Sequence, residues 1–148
     1  MKPTTTTTEN DLADRLRLAV TRLARRLRQQ SGVDASPTQL SALATVERQG
    51  PITLGALAAA ERVKPPTATA AVTRLESDGF VTRRVDGTDR RIVRVEITTA
   101  GRKLLAHNRS RKTAELERRL RALTPEDRRT LDRAVDVLDR LLEEEPGR

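Results

Sequence analysis

Apolar and polar residues alternate along most of this chain at the three- and four-residue spacing of amphipathic helices. From Asn10 to about Gln30, leucine, alanine and valine repeat on one helical face, and arginines occupy much of the remainder. Later stretches have a similar period, so the pattern predicts a mainly helical fold. The predicted helices cover residues 10–30, 37–49, 54–62, 65–78 and 100–122, and a sixth begins at 125.

Short polar motifs mark where several of these helices begin. Ser36-Pro37-Thr38-Gln39 has the serine N-cap, the proline at the first helical position and the glutamine of a capping box. Thr53, Thr99 and Thr124 each stand directly before a helical pattern and are predicted N-caps. Gly79 is predicted to end helix four, because glycine adopts left-handed backbone without penalty.

Two runs of β-branched residues predict a β-hairpin after helix four. The strands are residues 80–85 and 92–97, joined by a turn at 86–89, and Ile52 is predicted to add a short third strand. Asp89 and Arg91, two residues apart at the hairpin tip, can pair with each other and leave Arg90 projecting outward. An arginine on a stiffened hairpin is suited to a DNA minor groove.

Helices three and four have the length and spacing of a helix-turn-helix, so with the hairpin they predict a winged helix-turn-helix that binds double-stranded DNA. Helix four is the predicted recognition helix. One side should pack on helices two and three, and the opposite side should enter the major groove with the helix N-terminus toward phosphates. The predicted DNA-binding residues are Lys64, Pro66, Thr67, Thr69, Ala70, Thr73, Arg74, Arg84, Asp89, Arg90 and Arg91.

The outer helices carry more apolar surface than a small central domain can cover. We therefore predict a homodimer in which helices one, five and six interdigitate across a two-fold axis. The predicted fold class is mainly α with a small β-hairpin wing, a winged helix-turn-helix flanked by N- and C-terminal dimerisation helices. The predicted divisions are a disordered leader (1–9), an N-terminal dimerisation helix (10–36), the DNA-binding domain (37–98), C-terminal dimerisation helices (99–143) and a frayed tail (144–148).

The charge of the chain agrees with a nucleic-acid partner. The net charge is +8 and the isoelectric point about 11.2, which favours a polyanion. From Arg62 to Arg102 there are nine basic and five acidic residues, so half of the excess positive charge belongs to the predicted DNA-binding module.

The composition excludes several classes of function. The absence of cysteine excludes disulfides, thiol switches and cysteine-ligated metal. With a single histidine and no glycine-rich phosphate loop, the sequence predicts no enzyme, cofactor or metal site. His107 is interpreted as an exposed helix residue, the alternative being a ligand-binding or pH-sensitive contact. Short apolar runs and an N-terminus without an apolar signal segment favour a cytoplasmic protein with no membrane partner.

Two motifs resemble the MarR family of bacterial transcriptional regulators, over roughly residues 10–143. The first motif is similar to the family's recognition helix and the segment after it. It runs from Val63-Lys64-Pro65-Pro66-Thr67-Ala68-Thr69 through Arg74-Leu75-Glu76-Ser77-Asp78-Gly79-Phe80-Val81-Thr82-Arg83. The segment 89–98 is similar to the family's wing motif, D-x-R-x5-L-T, with Ile97 in place of leucine. The resemblance implies an obligate homodimer on a pseudo-palindromic operator, released by a small and often aromatic or phenolic anion.

The same resemblance implies an effector pocket between helices one, two and five. Because the chain has no tyrosine or tryptophan, an aliphatic lining with arginine at its rim suits an amphipathic or acidic ligand better than a flat, stacking one. The residues assigned to this pocket are Leu23, Arg26, Leu27, Gln39, Leu40 and Leu43.

Three functional hypotheses remain open at this point. The first is a dimeric repressor released by a small-molecule effector, and the second is a dimeric DNA-binding regulator without a small-molecule response. The third is an architectural or RNA-binding protein. RNA binding usually needs exposed aromatic side chains for base stacking, and Phe80 is the one aromatic residue of the chain.

Overall fold

The fold is mainly α with a small β-sheet, as the sequence predicts. The structure is a computed structural model that describes residues 5–30, 32 and 34–143. The elements of the described chain, in order, are α1 (Thr5–Gln29), α2 (Pro37–Gln49), β1 (Ile52–Thr53), α3 (Leu54–Glu61), α4 (Pro65–Ser77), β2 (Val81–Val85), β3 (Val93–Ile97), α5 (Thr99–Arg121) and α6 (Pro125–Leu142). The helix-turn-helix is α3 and α4, and the wing is the β2–β3 hairpin.

Local capping decides where most helices begin. The Ser36 hydroxyl accepts from the Gln39 amide (3.2 Å), and the Gln39 side chain accepts from the Ser36 amide (2.9 Å), which confirms the capping box. Thr53 and Thr124 cap α3 and α6 as predicted. The cap of α5 is one residue earlier than predicted, because the Gly101 amide donates to the hydroxyl of Thr98 and not to that of Thr99.

The first helix is longer than the sequence pattern predicts. α1 begins at Thr5, so residues 5–9, predicted as part of a disordered leader, are helical. Threonine is a modest helix former, but once the downstream turns exist, each added residue gains a hydrogen bond without a new nucleation cost. Residues 1–4 and the predicted frayed tail at 144–148 lie outside the described residues.

The sheet has the order β1-β3-β2, with both pairings antiparallel. Ile52 lies opposite Val95, which confirms the predicted short strand, and Val81 lies opposite Ile97 at the base of the hairpin. Since alternate residues of a strand face opposite sides, this register directs Val81 and Val95 into the core, where both are buried.

The hydrophobic core is aliphatic, as the composition requires. On α4, the residues facing α2 and α3 are Ala68, Ala71, Val72 and Leu75, all buried, which confirms the predicted inner face of this helix. Burying a leucine or valine side chain contributes about 1.5–3 kcal/mol, so the core holds α4 firmly against its neighbours. The largest fully buried side chains are Leu43, Leu57, Leu75, Val46, Val72 and Val95.

The chain divides into two compact units, one ending at Lys112 and the other beginning at Thr113. In the first unit, the apolar stripe of α1 is largely exposed, for example Leu12 (61%) and Leu23 (45%). In the second unit, α6 has no buried residue, and Val135 and Leu141 are more than half exposed. In the described part of the chain, no helix is long and apolar enough to cross a membrane.

Candidate functional site

Helix α4 presents a polar, exposed surface opposite its buried face. Pro65 and Pro66 occupy its first turn, where the missing amide hydrogens leave no helical bond unmade. Lys64 is its N-cap and makes no capping bond with its side chain. The exposed residues that include the predicted base-reading positions are Lys64, Pro66, Thr67, Thr69, Ala70, Thr73 and Arg74.

Contacts at the C-terminal half of α4 tie its surface to the wing. Arg74 Nε donates to Asp78 Oδ2 at 3.0 Å, an i,i+4 pair between α4 and its C-cap residue. Arg83, on β2, donates to the Thr73 hydroxyl at 3.2 Å and lies 3.5 Å from Glu76. The Thr73 hydroxyl oxygen therefore accepts a hydrogen bond from a wing residue. Its hydroxyl proton remains available for donation to a partner.

The tip of the wing is stiffened by the predicted aspartate–arginine pair. Asp89 accepts two hydrogen bonds from the Arg91 guanidinium, at 3.1 Å each, and one from the Arg91 amide at 3.0 Å. The Arg91 guanidinium, followed by its amide, holds the pKa of Asp89 below its usual value. Arg90 is exposed and has no ion-pair or hydrogen-bond partner of its side chain among the described residues.

A second aspartate, Asp86, organises the turn and was not assigned a role from the sequence. Its carboxylate accepts from Arg94 Nε (2.7 Å), from the Thr88 hydroxyl (2.7 Å) and amide (2.9 Å), and from the Asp89 amide (3.3 Å). Arg94, then the Thr88 hydroxyl, hold the pKa of Asp86 far below its usual value. The Asp86-Gly87-Thr88 sequence is typical of an aspartate-capped turn, so this part of the network had a local signal.

The remaining arginines of the wing are paired across the hairpin. Arg84 Nε lies 2.8 Å from Glu96, which is diagonally across from it on the neighbouring strand, and Arg94 donates to Asp86. Arg91 pairs with Asp89, yet its side chain is 90% exposed. The wing thus has a framework of neutralised pairs from which Arg90 extends with its full charge.

A separate cavity of about 340 Å³ lies between α2 and α5 in the first unit. Its apolar wall includes Leu40, Ala44 and Leu105. Asn108 lines it as well, is only 5% exposed, and its Oδ1 has no hydrogen-bond partner. The basic side chains of the lining are Arg28, Arg109 and Lys112.

The structure brings only one of the six residues assigned to an effector pocket into this cavity, namely Leu40. Leu43 is fully buried in the core, and the Gln39 side chain closes the capping box. Leu23 and Arg26 are exposed and Leu27 is half-buried, and none of them lines the cavity. The helical repeat explains the difference, because the α2 lining positions recur at three- and four-residue spacing while Leu43 belongs to the adjoining face.

His107 lies on the exposed surface of α5, as interpreted from the sequence. It does not line the cavity, although the next two residues, Asn108 and Arg109, do. Asn108 and Arg109 were not assigned to a site from the sequence, where they stand in a polar stretch without distinguishing signal.

Comparison with known proteins places this geometry in a family. Residues 35–93 match the MarR family model. The chain is 41% identical over 138 residues to an uncharacterized HTH-type transcriptional regulator of Mycobacterium leprae, covering 91% of this chain and 95% of that protein.

Solved structures share the fold. A transcriptional regulator from Pseudomonas aeruginosa is 34% identical with a TM-score of 0.82, over 93% of this chain and 98% of that one. A mutant of the Staphylococcus aureus regulator MepR, bound to an oligodeoxyribonucleotide, has the same fold at 20% identity and a TM-score of 0.70, over 89% of this chain and 98% of that one. The relatives are regulators and not enzymes, as predicted, and the chain belongs to the MarR family of DNA-binding, helix-turn-helix transcriptional regulators.

Proposed function

We propose that this regulator is a repressor that binds a pseudo-palindromic operator as a homodimer, with α4 in the major groove and the wing in the minor groove. The observation that carries the proposal is the contrast within the wing. Three arginines, Arg84, Arg91 and Arg94, are paired with carboxylates, whereas Arg90 extends unpaired from the stiffened tip. A preorganised cation of this kind suits the negative potential of a minor groove.

In the major groove, α4 is proposed to read bases mainly with small side chains. Thr67, Thr69 and Ala70 offer methyl groups to thymine and hydroxyls to base edges. Lys64 and Pro66 stand at the helix N-terminus, where the positive end of the helix dipole faces phosphates. Thr73 and Arg74 extend the surface. Arg84 and Arg91 are paired with carboxylates, but their side chains remain 70% and 90% exposed, so they can also contact phosphates. Because bidentate readers are scarce, DNA shape contributes a large part of the specificity.

A homodimer is supported by the exposed apolar stripes. Leu12, Leu16 and Leu23 on α1 and Val135 and Leu141 on α6 are at least a third exposed in the single chain. Exposed apolar stripes of this kind are typical of protein–protein contact surfaces, and a two-fold axis would present two copies of α4 to successive major grooves. The DNA-bound MepR structure shows that this fold can engage DNA in a related protein.

Release by a small acidic or amphipathic molecule is supported by the cavity between α2 and α5. Its apolar wall and basic rim can accept such a ligand, and α2 packs directly against α4. A regulator that binds chromosomal DNA acts in the cytoplasm.

The test is fluorescence anisotropy of the protein on its own upstream intergenic DNA against a shuffled duplex of equal length, at about 150 mM salt, where specific binding is resolved from non-specific binding. A preference of about 10³-fold or more, with two protomers per site, supports the proposal. If the protein shows no preference for its upstream DNA, genome-wide site selection is the next measurement. Equal, weak and salt-sensitive binding to all duplexes would instead indicate the architectural role.

A further inference from the structure

We propose that Arg62, in the turn between α3 and α4, binds a phosphate of the DNA backbone, and that this contact accounts for an arginine where glycine would be more stable. The proposal rests on the placement of α4 in the major groove proposed above and adds a residue to that interface. Arg62 is not among the DNA-binding residues predicted from the sequence.

The backbone of this turn is left-handed at Arg62, with φ 52° and ψ 41°. The Arg62 amide donates to the Ala59 carbonyl at 3.1 Å, and the Val63 amide donates to the Ala58 carbonyl at 3.0 Å. These two bonds close the Schellman motif that ends α3, and this motif has a left-handed residue at the position of Arg62. The turn itself therefore imposes the positive φ, whichever residue stands there.

Arginine is a poor residue for this conformation. Its β-carbon crowds the backbone at positive φ, whereas glycine has no β-carbon and adopts the conformation readily. The other positions with positive φ in the described part of the chain are all glycine, namely Gly32, Gly50 and Gly79. Since the arginine lowers stability at this position, we look for its benefit in the side chain.

The guanidinium of Arg62 carries a charge that no neighbour neutralises. The residue is exposed, and its side chain makes no ion pair or hydrogen bond with any residue that the structure describes. The adjacent carboxylate of Glu61 is engaged elsewhere, because its two oxygens accept from the hydroxyls of Ser41 and Thr45 on α2, at 2.5 Å each. Arg62 therefore keeps its full charge for a ligand.

The position of Arg62 in the fold directs this charge to the DNA backbone. Arg62 precedes Pro65, the first residue of α4, by three positions. When α4 lies in the major groove with its N-terminus toward phosphates, the turn before it lies beside the sugar–phosphate backbone. A guanidinium binds phosphate through two parallel hydrogen bonds, which requires an arginine without a competing carboxylate. Arg74, the other arginine of the helix-turn-helix, is by contrast paired with Asp78.

Arg62→Gly tests both parts of the proposal, because it relieves the backbone and removes the charge. We expect its melting temperature to rise by about 2–4 °C. Its affinity for DNA should fall by about fivefold or more. Circular dichroism melts measure the first quantity, and fluorescence anisotropy on the upstream intergenic duplex and on the shuffled duplex measures the second. Loss of structure does not explain a variant that is more stable and yet binds DNA more weakly.

The salt dependence of binding identifies the contacted group as a phosphate. The slope of log affinity against log salt should decrease in magnitude by about one for each protomer that contacts the duplex, because one fewer phosphate is neutralised. The upstream and shuffled duplexes should lose affinity by the same factor, since a phosphate contact does not read the bases.

Two further variants keep the left-handed position occupied by a side chain. Arg62→Gln removes the charge, so it should reproduce the loss of affinity without the rise in melting temperature. Arg62→Lys keeps the charge and should recover most of the lost affinity and salt slope. Arg129→Gln is the control for net charge, because it removes an exposed arginine of α6, and its affinity and salt slope should equal those of the natural protein.

Undiminished DNA binding by Arg62→Gly and Arg62→Gln, with an unchanged salt slope, would overturn the proposal and leave Arg62 as a solvated surface residue. A loss of affinity confined to the upstream duplex would also overturn it, because it would indicate a contact to bases. An Arg62→Gly variant no more stable than the natural protein would contradict the stated loss of stability. If the natural protein shows no preference for its upstream duplex, the proposed operator binding fails, whereas the variants on the shuffled duplex still decide the phosphate contact.

Discussion

The Thr98 hydroxyl donates to the backbone carbonyl of Gly79 at 2.6 Å and accepts from the Gly101 amide at 3.1 Å. One side chain thus connects the end of α4, the last residue of the wing and the first turn of α5. The Thr98 amide adds a bond to the Phe80 carbonyl at 3.0 Å. The threonine of the wing motif therefore has a structural role at the point where three elements meet.

Replacement of Thr98 by valine keeps the shape of the side chain and removes both hydroxyl bonds. We expect the free energy of unfolding to fall by about 1–3 kcal/mol, the combined cost of a lost helix cap and a carbonyl without its partner. Urea denaturation measures it. Thr99→Val, one residue along and exposed, is the control and should change stability by less than about 0.5 kcal/mol. Equal losses in both variants would remove the proposed role of the hydroxyl.

Gly101 is required by the close approach of α5 to the turn after α4. A β-carbon at this position would overlap the Phe80 carbonyl oxygen and lie 2.8 Å from Ile97 Cγ1. We expect Gly101→Ala to destabilise the protein by about 1–3 kcal/mol or more, although alanine is the better helix former. Gly55→Ala, on α3 with open space around the position, should be neutral or stabilising. Thermal melts of both variants distinguish steric overlap from helix propensity.

Arg90→Ala should weaken operator binding without unfolding the protein. The side chain has no partner in the described structure, so the free energy of unfolding should be unchanged. Loss of a groove contact should weaken the free energy of DNA binding by about 1 kcal/mol or more, which is about fivefold in affinity. Anisotropy titrations beside circular dichroism melts measure both quantities. Arg128→Ala, an exposed arginine of α6, is the control for net charge. Unchanged operator affinity of Arg90→Ala would exclude the wing tip from DNA binding.

The wing turn should persist in acid below the usual titration range of aspartate. Arg94 and Thr88 lower the pKa of Asp86 in the folded protein. Ionised Asp86 therefore stabilises the turn fully at pH values above 3.8, its ordinary pKa in the unfolded chain. This contribution is lost as the pH falls through the lower pKa of the folded protein. A carboxyl-carbon NMR titration should give a midpoint well below 3.8. Arg94→Gln should move the midpoint upward, and a midpoint that stays where it was would contradict the assigned cause.

Val135→Glu should disrupt the proposed dimer. Val135 is 53% exposed on the apolar stripe of α6, where a charge would be buried in a dimer interface at considerable cost. Multi-angle light scattering should show a monomer, with operator affinity strongly reduced. Arg133→Glu, two positions earlier and on the opposite side of the helix, makes the larger charge change and should remain dimeric. A dimeric Val135→Glu variant would place the interface elsewhere.

Features that depend on neighbours in sequence were predictable from the chain. The capping box of Ser36 and Gln39 and the Asp89–Arg91 pair join residues three and two positions apart, so residue type and spacing suffice to specify them. The apolar face of α4 was equally readable, because the helical repeat assigns Ala68 and Leu75 to one side. The family resemblance rests on two of these segments, α4 and the wing.

Features that join distant segments were decided only when the chain folded. The Arg94–Asp86 bond depends on hairpin geometry, and the choice of Thr98 over Thr99 as the α5 cap depends on where β3 ends. The cavity is the clearest case. Leu40 and Leu43 are alike in sequence, but one lines the cavity and the other is buried in the core, because the two residues lie on different faces of α2. Local hydrogen bonding and helical period determine the elements, whereas the packing of elements far apart in sequence determines which side chains face a ligand.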